Sequence, residues 1–259
     1  MQTATVGPDG AQMRWVETSG SEPARVYVHG LGAMSAPYFV PVATRPELAG
    51  HRSLFVDLLG FGLSDRPAAF GYTLDEHATA LARALDAAGV RAADVIAHSM
   101  GGAVAIVLAH HRPDLVRRLV LVEANLDPNP PPTAGSSGVA SYAEDEFLAT
   151  GHAQTLDRVG PHWAATMRLA DPVALHRTAL GLIAGSRPTM RHMLERLPMP
   201  RTFVQGGRSG PVVGADDLTA AGVTVVTVPG AGHNVMLDAP EAFARAAVAA
   251  LATAAQPVG

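Results

Sequence analysis

Short apolar runs alternate with amphipathic stretches of helical length over the first half of the chain. The runs are rich in valine and leucine at consecutive positions, as strands are when both faces of their sheet are buried. Strands separated by helix-length segments are typical of a mostly parallel sheet with helices on both faces. The pattern predicts strands at residues 25–29, 53–57, 94–97 and 119–123, and helices at residues 74–88 and 101–111.

The alternation stops after residue 125 and resumes at residue 199. The intervening residues contain no run that indicates a strand. They begin with a connector at residues 127–138 that is rich in proline, glycine and serine, and then carry start and stop signals for about four short helices. We therefore predict one core domain, residues 1–125 and 199–259, interrupted by a helical insertion at residues 126–198. The core is expected to continue with strands at residues 201–205 and 224–228 and a final helix that ends near residue 254.

Three side chains are predicted to begin helices. Ser141 is followed three positions later by Glu144, and Asp238 is followed likewise by Glu241, which is the pattern of a capping box. Asp171 directly precedes a proline, a pair typical of the N-cap and first position of a helix.

Residues 95–102 read Val-Ile-Ala-His-Ser-Met-Gly-Gly, and a helical apolar stretch follows at once. The pattern predicts a tight strand-to-helix turn, a nucleophile elbow, on which Ser99 projects its hydroxyl above the sheet. The small residues Ala97, Gly101 and Gly102 leave room for such a turn, with Ala97 in place of the usual first glycine. We predict that Ser99 is a catalytic nucleophile.

A serine nucleophile needs a base that takes its proton and an acid that orients the base. The predicted base is His233, which follows Gly230 and Gly232 just after a predicted strand, near the carboxyl edge of the sheet. The chain has 11 histidines, and no other has this setting.

The acid of such a triad lies between the serine and the histidine in the chain. Its commonest place is the loop after the penultimate strand, but Ser209 stands there instead of a carboxylate. Glu123 ends the apolar run one strand beyond the nucleophile, where a buried carboxylate is costly unless it is paired. We predict Glu123 as the acid. Asp217 is the alternative, although Asp216 and Asp217 are expected to cap a helix.

Two backbone N–H groups are predicted to form an oxyanion hole. One belongs to Met100, which follows the nucleophile, and the other to Leu31, in the loop after an early strand. His29 is predicted to anchor that loop rather than to act as a second base. The glycine-punctuated turn at residues 57–66 is assigned a structural role beside it, because its spacing does not match a phosphate-binding loop.

The composition of the 259-residue chain narrows the classes of partner. A net charge of −4 without a basic patch argues against nucleic acid. The absence of cysteine excludes disulfides, a thiolate nucleophile and thiolate metal ligands. No signal peptide and no membrane span are visible. We expect a cytoplasmic monomer or homodimer that acts on a small molecule.

Four motifs together resemble those of the α/β-hydrolase superfamily, over nearly the whole chain. They are His-Gly-x-Gly at residues 29–32, Asp-x-x-Gly-x-Gly-x-Ser at 57–64, the serine elbow at 97–101 and Gly-x-Gly-His at 230–233. The resemblance implies a doubly wound, mostly parallel eight-stranded sheet, a helical cap formed by the insertion, and acyl-transfer chemistry that uses neither cofactor nor metal.

The position of Glu123 resembles a variant of this fold in which the acid follows the sixth strand, as in some haloalkane dehalogenases and the zearalenone lactonase. The dehalogenases and epoxide hydrolases of the fold use an aspartate nucleophile, whereas this chain has Ser99. Neither of those activities is therefore expected.

The expected activity is hydrolysis of an apolar carboxylic ester, lactone or thioester through an acyl-enzyme on Ser99. Phe147, Trp163 and Met167 of the helical insertion are predicted to line the substrate site, with packing of the core as the alternative for each. Other functions of the same fold stay open: hydrolysis of a carbon–carbon bond, acyl transfer, cofactor-free peroxidase activity, and ligand reception without turnover.

Overall fold

A computed structural model describes residues 1–128 and 138–253 of the chain. Its centre is a single eight-stranded sheet in the spatial order β1-β2-β4-β3-β5-β6-β7-β8. The strands are β1 (Gln2–Thr5), β2 (Gln12–Thr18), β3 (Ser21–Val28), β4 (His51–Asp57), β5 (Ala93–His98), β6 (Val116–Val122), β7 (Arg201–Gly206) and β8 (Val223–Val228).

The sheet is antiparallel at one end and parallel elsewhere. The strand β2 pairs antiparallel with both β1 and β4, and every other neighbouring pair is parallel. The carboxyl ends of β3 and of β5 to β8 therefore meet at one edge. The order of the strands reverses between β3 and β5, and the crevice outside such a switch point is where ligands of open α/β sheets bind.

Helices cover both faces of the sheet. The helices are α1 (Ser35–Ala43), α2 (Leu74–Ala87), α3 (Met100–His111), α4 (Glu144–Glu146), α5 (His152–Arg158), α6 (Pro161–Met167), α7 (Pro172–Ala184), α8 (Met190–Arg196), α9 (Ala215–Ala220), α10 (Val235–Asp238) and α11 (Pro240–Ala252).

Two hydrophobic clusters lie on opposite faces, because side chains alternate along each strand. Val26 and Val95 belong to the cluster beneath α2 and α3. Their chain neighbours Tyr27 and Ile96 belong to the cluster beneath α1 and α11. The central strands are thus buried on both sides, which explains their continuous apolar sequence.

The helix α2 shows how local sequence sets an element. Thr73 and Glu76 form a capping box at its start, which satisfies two of the free N–H groups of the first turn. Leu81 and Leu85 stand four residues apart and are fully buried against the sheet. The helix is followed by Gly89, whose φ of 68° suits the left-handed conformation common after a helix.

The described part of the helical insertion, residues 126–128 and 138–198, contains helices and no strand. A continuous helical stretch joins α4 and α5 through a π-helical turn at Phe147–Gly151. With α6, α7 and α8 this makes four helical stretches, as predicted. Most of the connector predicted at residues 127–138 lies outside the described residues.

The predicted fold class is confirmed: the sheet has eight strands, is mostly parallel and carries helices on both faces. Each predicted strand is present, with ends within four residues of the prediction. The strands β1 and β2 and the helix α1 were not predicted. Within residues 1–128 and 138–253, no helix is long and apolar enough to cross a bilayer.

Of the three side chains predicted to begin helices, one is confirmed as a cap and two are not. The Asp171 carboxylate accepts a hydrogen bond of 2.9 Å from Ala174 N–H at the start of α7. The Ser141 hydroxyl instead donates to the Gly138 carbonyl in a preceding 3₁₀ turn. Asp238 does not cap α11, because its carboxylate accepts from Gly232 N–H, in the loop after β8.

Candidate active site

Ser99 lies between β5 and α3 with a φ of 51° and a ψ of −119°, which is rare for a residue with a side chain. Its N–H donates to the Val122 carbonyl, and its own carbonyl accepts from the first turn of α3. A Cβ at Gly101 would overlap the His29 carbonyl oxygen, and a Cβ at Gly102 would lie 2.5 Å from that of Ala124. Glycine is therefore required at both positions for this turn to pack against its neighbours.

The Ser99 hydroxyl, the His233 imidazole and the Glu123 carboxylate form one hydrogen-bonded line. Ser99 Oγ lies 3.0 Å from His233 Nε2, and His233 Nδ1 lies 3.4 Å from Glu123 Oε2. A carboxylate only accepts hydrogen bonds, so the imidazole proton lies on Nδ1 and Nε2 is free to accept from the serine. The second distance is long, as is common before a substrate binds.

Glu123 is held at the end of β6 by two backbone groups of β7. Its N–H donates to the Val204 carbonyl, and its Oε1 accepts a hydrogen bond of 2.6 Å from Gly206 N–H. Its φ of 51° turns the chain away from the sheet at this point. The side chain is 12% exposed. Gly206 was not predicted to take part, because no sequence signal assigns a partner to a backbone amide.

The other candidate acids lie elsewhere. Asp216 and Asp217 stand in the first turn of α9, whose N-cap is Gly214, so they follow the helix start rather than cap it. Among the described residues, neither carboxylate hydrogen-bonds to His233. Ser209 is exposed on the turn after β7.

The His233 loop is fastened at two points beside the imidazole. Asp238 Oδ2 accepts hydrogen bonds from Gly232 N–H at 2.7 Å and from the Arg208 guanidinium at 2.8 Å. The His233 carbonyl accepts a hydrogen bond of 3.0 Å from His98 Nε2–H. The sequence analysis did not single out His98, although it directly precedes the nucleophile.

His98 is a neutral donor in this position. Burial lowers the pKa of its imidazole well below the usual value, and the neighbouring His233 lowers it further. The bond to the His233 carbonyl places the single proton on Nε2. The Nδ1 atom is buried without a hydrogen-bond partner among the described residues.

The loop after β3 is held by His29, as predicted for an anchor. Leu58 N–H donates to His29 Nε2 at 3.0 Å, and His29 Nδ1–H donates to the Gly30 carbonyl at 2.8 Å. Burial lowers the pKa of this imidazole, against the opposing charge of Asp57. The ring is therefore neutral, with its proton fixed on Nδ1.

The turn at residues 57–64 lies beneath this loop. Asp57 Oδ1 accepts from Ser35 N–H at 3.0 Å, and Asp57 Oδ2 accepts from Leu63 N–H at 3.1 Å. The Ser64 hydroxyl donates to the Asp57 carbonyl. These bonds join the turn to the start of α1, in keeping with a structural role.

Leu31 lies in the loop after β3, and Met100 is the first residue of α3, directly after Ser99. Within the part of the chain that the structure describes, neither N–H donates a hydrogen bond to another residue. Both residues are nevertheless buried. A buried N–H group without a partner is uncommon and is available to an oxygen atom of a bound molecule.

The three residues predicted to line the substrate site are placed as follows. Phe147 is fully buried against the rings of Tyr142, His152 and His176. Met167 is fully buried as well. Trp163 is half-buried, and its Nε1–H donates to the Leu31 carbonyl at 2.7 Å. Contact of these side chains with a substrate stays a prediction.

The arrangement has the parts needed for nucleophilic chemistry at a carbonyl group: a hydroxyl, a base in contact with it, a carboxylate and two available amides. Ser99 is only half-buried, and the His233 side chain is 40% exposed, so the serine and the histidine are accessible to solvent. In residues 1–128 and 138–253, no cluster of three or more histidine and carboxylate side chains could hold a metal ion.

The solved structures that resemble this chain include hydrolases. The esterase from Exiguobacterium antarcticum superimposes with a TM-score of 0.80 at 20% identity, over 96% of this chain and 98% of that one. The enol-lactonase from Burkholderia xenovorans LB400 superimposes with a TM-score of 0.75 at 19% identity, over 96% and 99% of the two chains. At these identities the likeness shows a shared fold.

Sequence comparison gives the family. The 2-hydroxymuconate semialdehyde hydrolase of Pseudomonas sp. (strain CF600) is 32% identical over 160 residues, which are 61% of this chain and 50% of that protein. The chain thus spans about half the length of that relative. The model of the α/β hydrolase fold family matches residues 26–172, which include the elbow and Glu123. The chain belongs to the α/β-hydrolase fold family, as its motifs predicted.

Proposed function

We propose that this protein is a serine hydrolase that cleaves an uncharged carboxylic ester, lactone or thioester through an acyl-enzyme on Ser99. The observation that carries the proposal is the contact of 3.0 Å between Ser99 Oγ and His233 Nε2, continued by the 3.4 Å contact of His233 Nδ1 with Glu123 Oε2. A neutral imidazole with its proton on Nδ1 can take the serine proton on Nε2.

In the first half-reaction, Ser99 Oγ attacks the carbonyl carbon while His233 Nε2 accepts the hydroxyl proton. The N–H groups of Leu31 and Met100 donate to the developing oxyanion, and Glu123 stabilises the imidazolium. When the tetrahedral intermediate collapses, the bond to the leaving group breaks and His233 returns the proton to the leaving oxygen or sulfur.

In the second half-reaction, His233 takes a proton from water, and the resulting hydroxide attacks the acyl-enzyme. The bond to Ser99 Oγ then breaks, and the imidazolium gives its proton to the serine. The products are a carboxylic acid and the free enzyme, so the cycle consumes one water and needs no other reactant.

The surroundings of the triad favour an uncharged substrate. Among the described residues, the groups that hydrogen-bond to Ser99, His233 or Glu123 outside the triad are Asn125, His98 and backbone amides and carbonyls. None of them is a cation that could neutralise a carboxylate or a phosphate. Asn125 Oδ1 lies 3.5 Å from Ser99 Oγ and offers a polar contact without charge.

Hydrolysis of a carbon–carbon bond is the second candidate. It is favoured by the 32% identity to a relative named as a 2-hydroxymuconate semialdehyde hydrolase. In that reaction the leaving group is a carbanion rather than an alkoxide, so the same site would have to protonate carbon. A vinylogous 1,5-diketone with a chromophore separates this reaction from ester hydrolysis.

The test is a panel of p-nitrophenyl esters of graded acyl length, with lactones, thioesters and a vinylogous diketone in parallel. We expect turnover of at least one ester, lactone or thioester, and loss of that turnover in Ser99→Ala. Turnover of the diketone alone would support the second candidate. Ester turnover that persists in Ser99→Ala at the wild-type rate would refute both.

A further inference from the structure

The helix α6 of the insertion hydrogen-bonds directly to the loop that carries Leu31. Trp163 Nε1–H donates to the Leu31 carbonyl at 2.7 Å, and the Thr166 hydroxyl donates to the Gly32 carbonyl at 3.0 Å. These bonds join residues 132 and 134 positions apart in the chain. They are contacts between the helical insertion and a loop at the carboxyl edge of the sheet.

The bond from Trp163 completes a set that holds both peptide planes next to Leu31, and the bond from Thr166 holds the plane that follows them. The plane before it contains the Gly30 carbonyl, which accepts from His29 Nδ1–H at 2.8 Å and from Ala33 N–H at 3.1 Å. The plane after it contains the Leu31 carbonyl, which accepts from Trp163. Because a trans peptide is planar, the Leu31 N–H lies in the first of these planes, with the Gly30 carbonyl. The bond from Trp163 holds the second plane and so restrains the rotation about Leu31 that would tilt the first.

Gly32 makes the approach of α6 possible. A Cβ at this position would lie 3.1 Å from Trp163 Nε1 and 3.0 Å from Met167 Cε, so a side chain there would crowd the indole and the end of the methionine. The φ of Gly32 is 66°, which also favours glycine. The loop is therefore shaped to receive a donor from the insertion.

Burial makes these bonds matter to the loop. Leu31 and Thr166 are buried, and Met167 beside them is fully buried. A carbonyl that loses its hydrogen-bond partner in a buried place bears the full cost of its desolvation. Loss of the indole N–H therefore favours a different conformation of the loop, in which the carbonyl of Leu31 finds another partner.

We propose that Trp163, assisted by Thr166, is a positioning residue that aims the Leu31 N–H at the oxyanion. This inference rests on the proposed function, in which that N–H is one of the two oxyanion donors. It gives Trp163 a task other than the predicted contact with substrate, since its only N–H is occupied by the protein. The helical insertion then completes the oxyanion hole from a distance.

The test compares Trp163→Phe with Trp15→Phe. The chain has 2 tryptophans, and Trp15 on β2 also uses its Nε1–H in a hydrogen bond, with Glu17 at 2.8 Å. The two variants thus make the same substitution and lose the same kind of bond. The readouts are kcat and KM on p-nitrophenyl esters of short, medium and long acyl chain. A third readout is inhibition by a trifluoromethyl ketone, whose serine adduct carries an oxyanion.

Removal of an oxyanion donor lowers rates by about 100- to 1,000-fold, so misdirecting one is expected to lower kcat by roughly 10- to 100-fold. In Trp163→Phe we expect this loss of kcat to be equal for all acyl lengths, with KM nearly unchanged. The affinity for the trifluoromethyl ketone should fall by a similar factor. Trp15→Phe should leave all three readouts at wild-type values. Thr166→Val should show a smaller loss of the same type. Thr166→Ser keeps the hydroxyl and should have the wild-type kcat.

The opposing outcomes are distinct. A rise in KM that depends on acyl length, with kcat unchanged, would make Trp163 a wall of the substrate site and overturn the inference. Equal behaviour of Trp163→Phe and Trp15→Phe would overturn it too. If Trp163→Phe fails to fold, the Val and Ser variants of Thr166 decide, and equal rates in those two refute the proposal. A wild-type protein without Ser99-dependent turnover would instead refute the proposed function itself.

Discussion

The loops after β6 and β7 lie side by side at the same edge of the sheet, yet they support His233 in different ways. The β6 loop supplies a carboxylate, because Glu123 Oε2 contacts His233 Nδ1. The loop after β7, where the acid of this fold is commonly expected, supplies no carboxylate to His233; the last residue of β7, Gly206, donates its N–H to Glu123 Oε1 instead. The end of β7 thus acts on the histidine through the Glu123 carboxylate.

In the proposed triad, the acid is the carboxylate that reaches His233 Nδ1, whichever strand carries it. Either strand end lies near the last loop of the sheet, so a carboxylate on one of them is enough. The other strand end is then free to hold that carboxylate in place. Here the carboxylate accepts a hydrogen bond on each oxygen, which fixes its plane relative to the imidazole.

The largest effect is expected from removing the charge on the β6 loop. Glu123→Gln keeps the shape of the side chain but cannot stabilise the imidazolium, and its amide can hold the imidazole in the wrong tautomer. We expect kcat to fall by roughly 1,000- to 10,000-fold, as for other triads that lose their acid. Steady-state kinetics on the best ester of the panel measure it.

Asp217→Asn is the matched control, since it removes a carboxylate that lies on α9 and makes no hydrogen bond to His233 within the described residues. Its kinetics should equal those of the wild type. The assignment of the acid is wrong if Asp217→Asn loses activity while Glu123→Gln keeps it.

The β7 loop can be disturbed without changing any charge. A Cβ at Gly206 would overlap the Gly232 carbonyl oxygen and lie 2.6 Å from that of Ala231, so Gly206→Ala must displace the His233 loop. A displacement of about 1 Å at a reacting group can cost roughly 100-fold in rate. We expect kcat to fall by about 10- to 100-fold, with KM changed less.

Gly207→Ala provides the comparison at the next position. The nearest atom to its Cβ would be 3.4 Å away, an ordinary contact, so its rates should stay near those of the wild type. Equal kinetics for the two alanine variants would show that the β7 loop does not support the triad.

A third support comes from β5, through the backbone of the histidine rather than its side chain. His98→Phe keeps a buried ring but loses the hydrogen bond to the His233 carbonyl. We expect kcat/KM to fall by about 10-fold, in keeping with the effect of losing a group that orients a reacting residue. His98→Gln retains an N–H donor and should recover part of the rate, whereas no recovery would place the effect in packing alone.

The smallest effect on turnover is expected from substitution of His77, which lies away from both loops. Its replacement should change the stability of the fold and leave catalysis nearly unchanged. Burial lowers the pKa of His77 to about 3, and its Nε2 lies 3.1 Å from the Thr178 hydroxyl, which joins α2 to α7. In the unfolded chain a histidine titrates near pH 6.5, so between about pH 6.5 and 3 the unfolded state binds one more proton.

Stability should therefore fall as the pH falls through this window, by about 1.4 kcal/mol per pH unit for such a histidine. Urea unfolding at pH 7, 6, 5 and 4 gives the slope. In His77→Gln the slope should be smaller by one proton, while kcat at pH 7 stays near the wild-type value. An unchanged slope would mean that His77 is already protonated in the folded protein.

The sequence predicts the central sheet and the close approach of Ser99, His233 and Glu123, because each lies at the end of an apolar run and parallel strands share one edge. It favoured Glu123 as the acid but left Asp217 as an alternative, since both lie between the serine and the histidine in the chain. It also did not indicate β1 and β2, whose antiparallel pairing at one end of the sheet leaves polar residues among the apolar ones.

The contacts that hold Glu123, Leu31 and His233 in place could not be predicted from the sequence, for a different reason. The amide of Gly206, the indole N–H of Trp163 and the imidazole of His98 each bond to an atom far away in the chain, at a carbonyl or a carboxylate. Such pairings depend on how loops meet once the sheet is formed. The residue types at these positions carry no periodic signal that would reveal them.

The most direct measurement is covalent labelling by an alkyl fluorophosphonate, followed by intact-protein and peptide mass spectrometry. The hydrogen bonds that join Ser99, His233 and Glu123 predict one adduct per chain, located on Ser99. The adduct should be absent in Ser99→Ala and should form much more slowly in His233→Ala. Labelling at another residue, or an equal rate of labelling with and without the imidazole, would contradict the claim that His233 activates this hydroxyl.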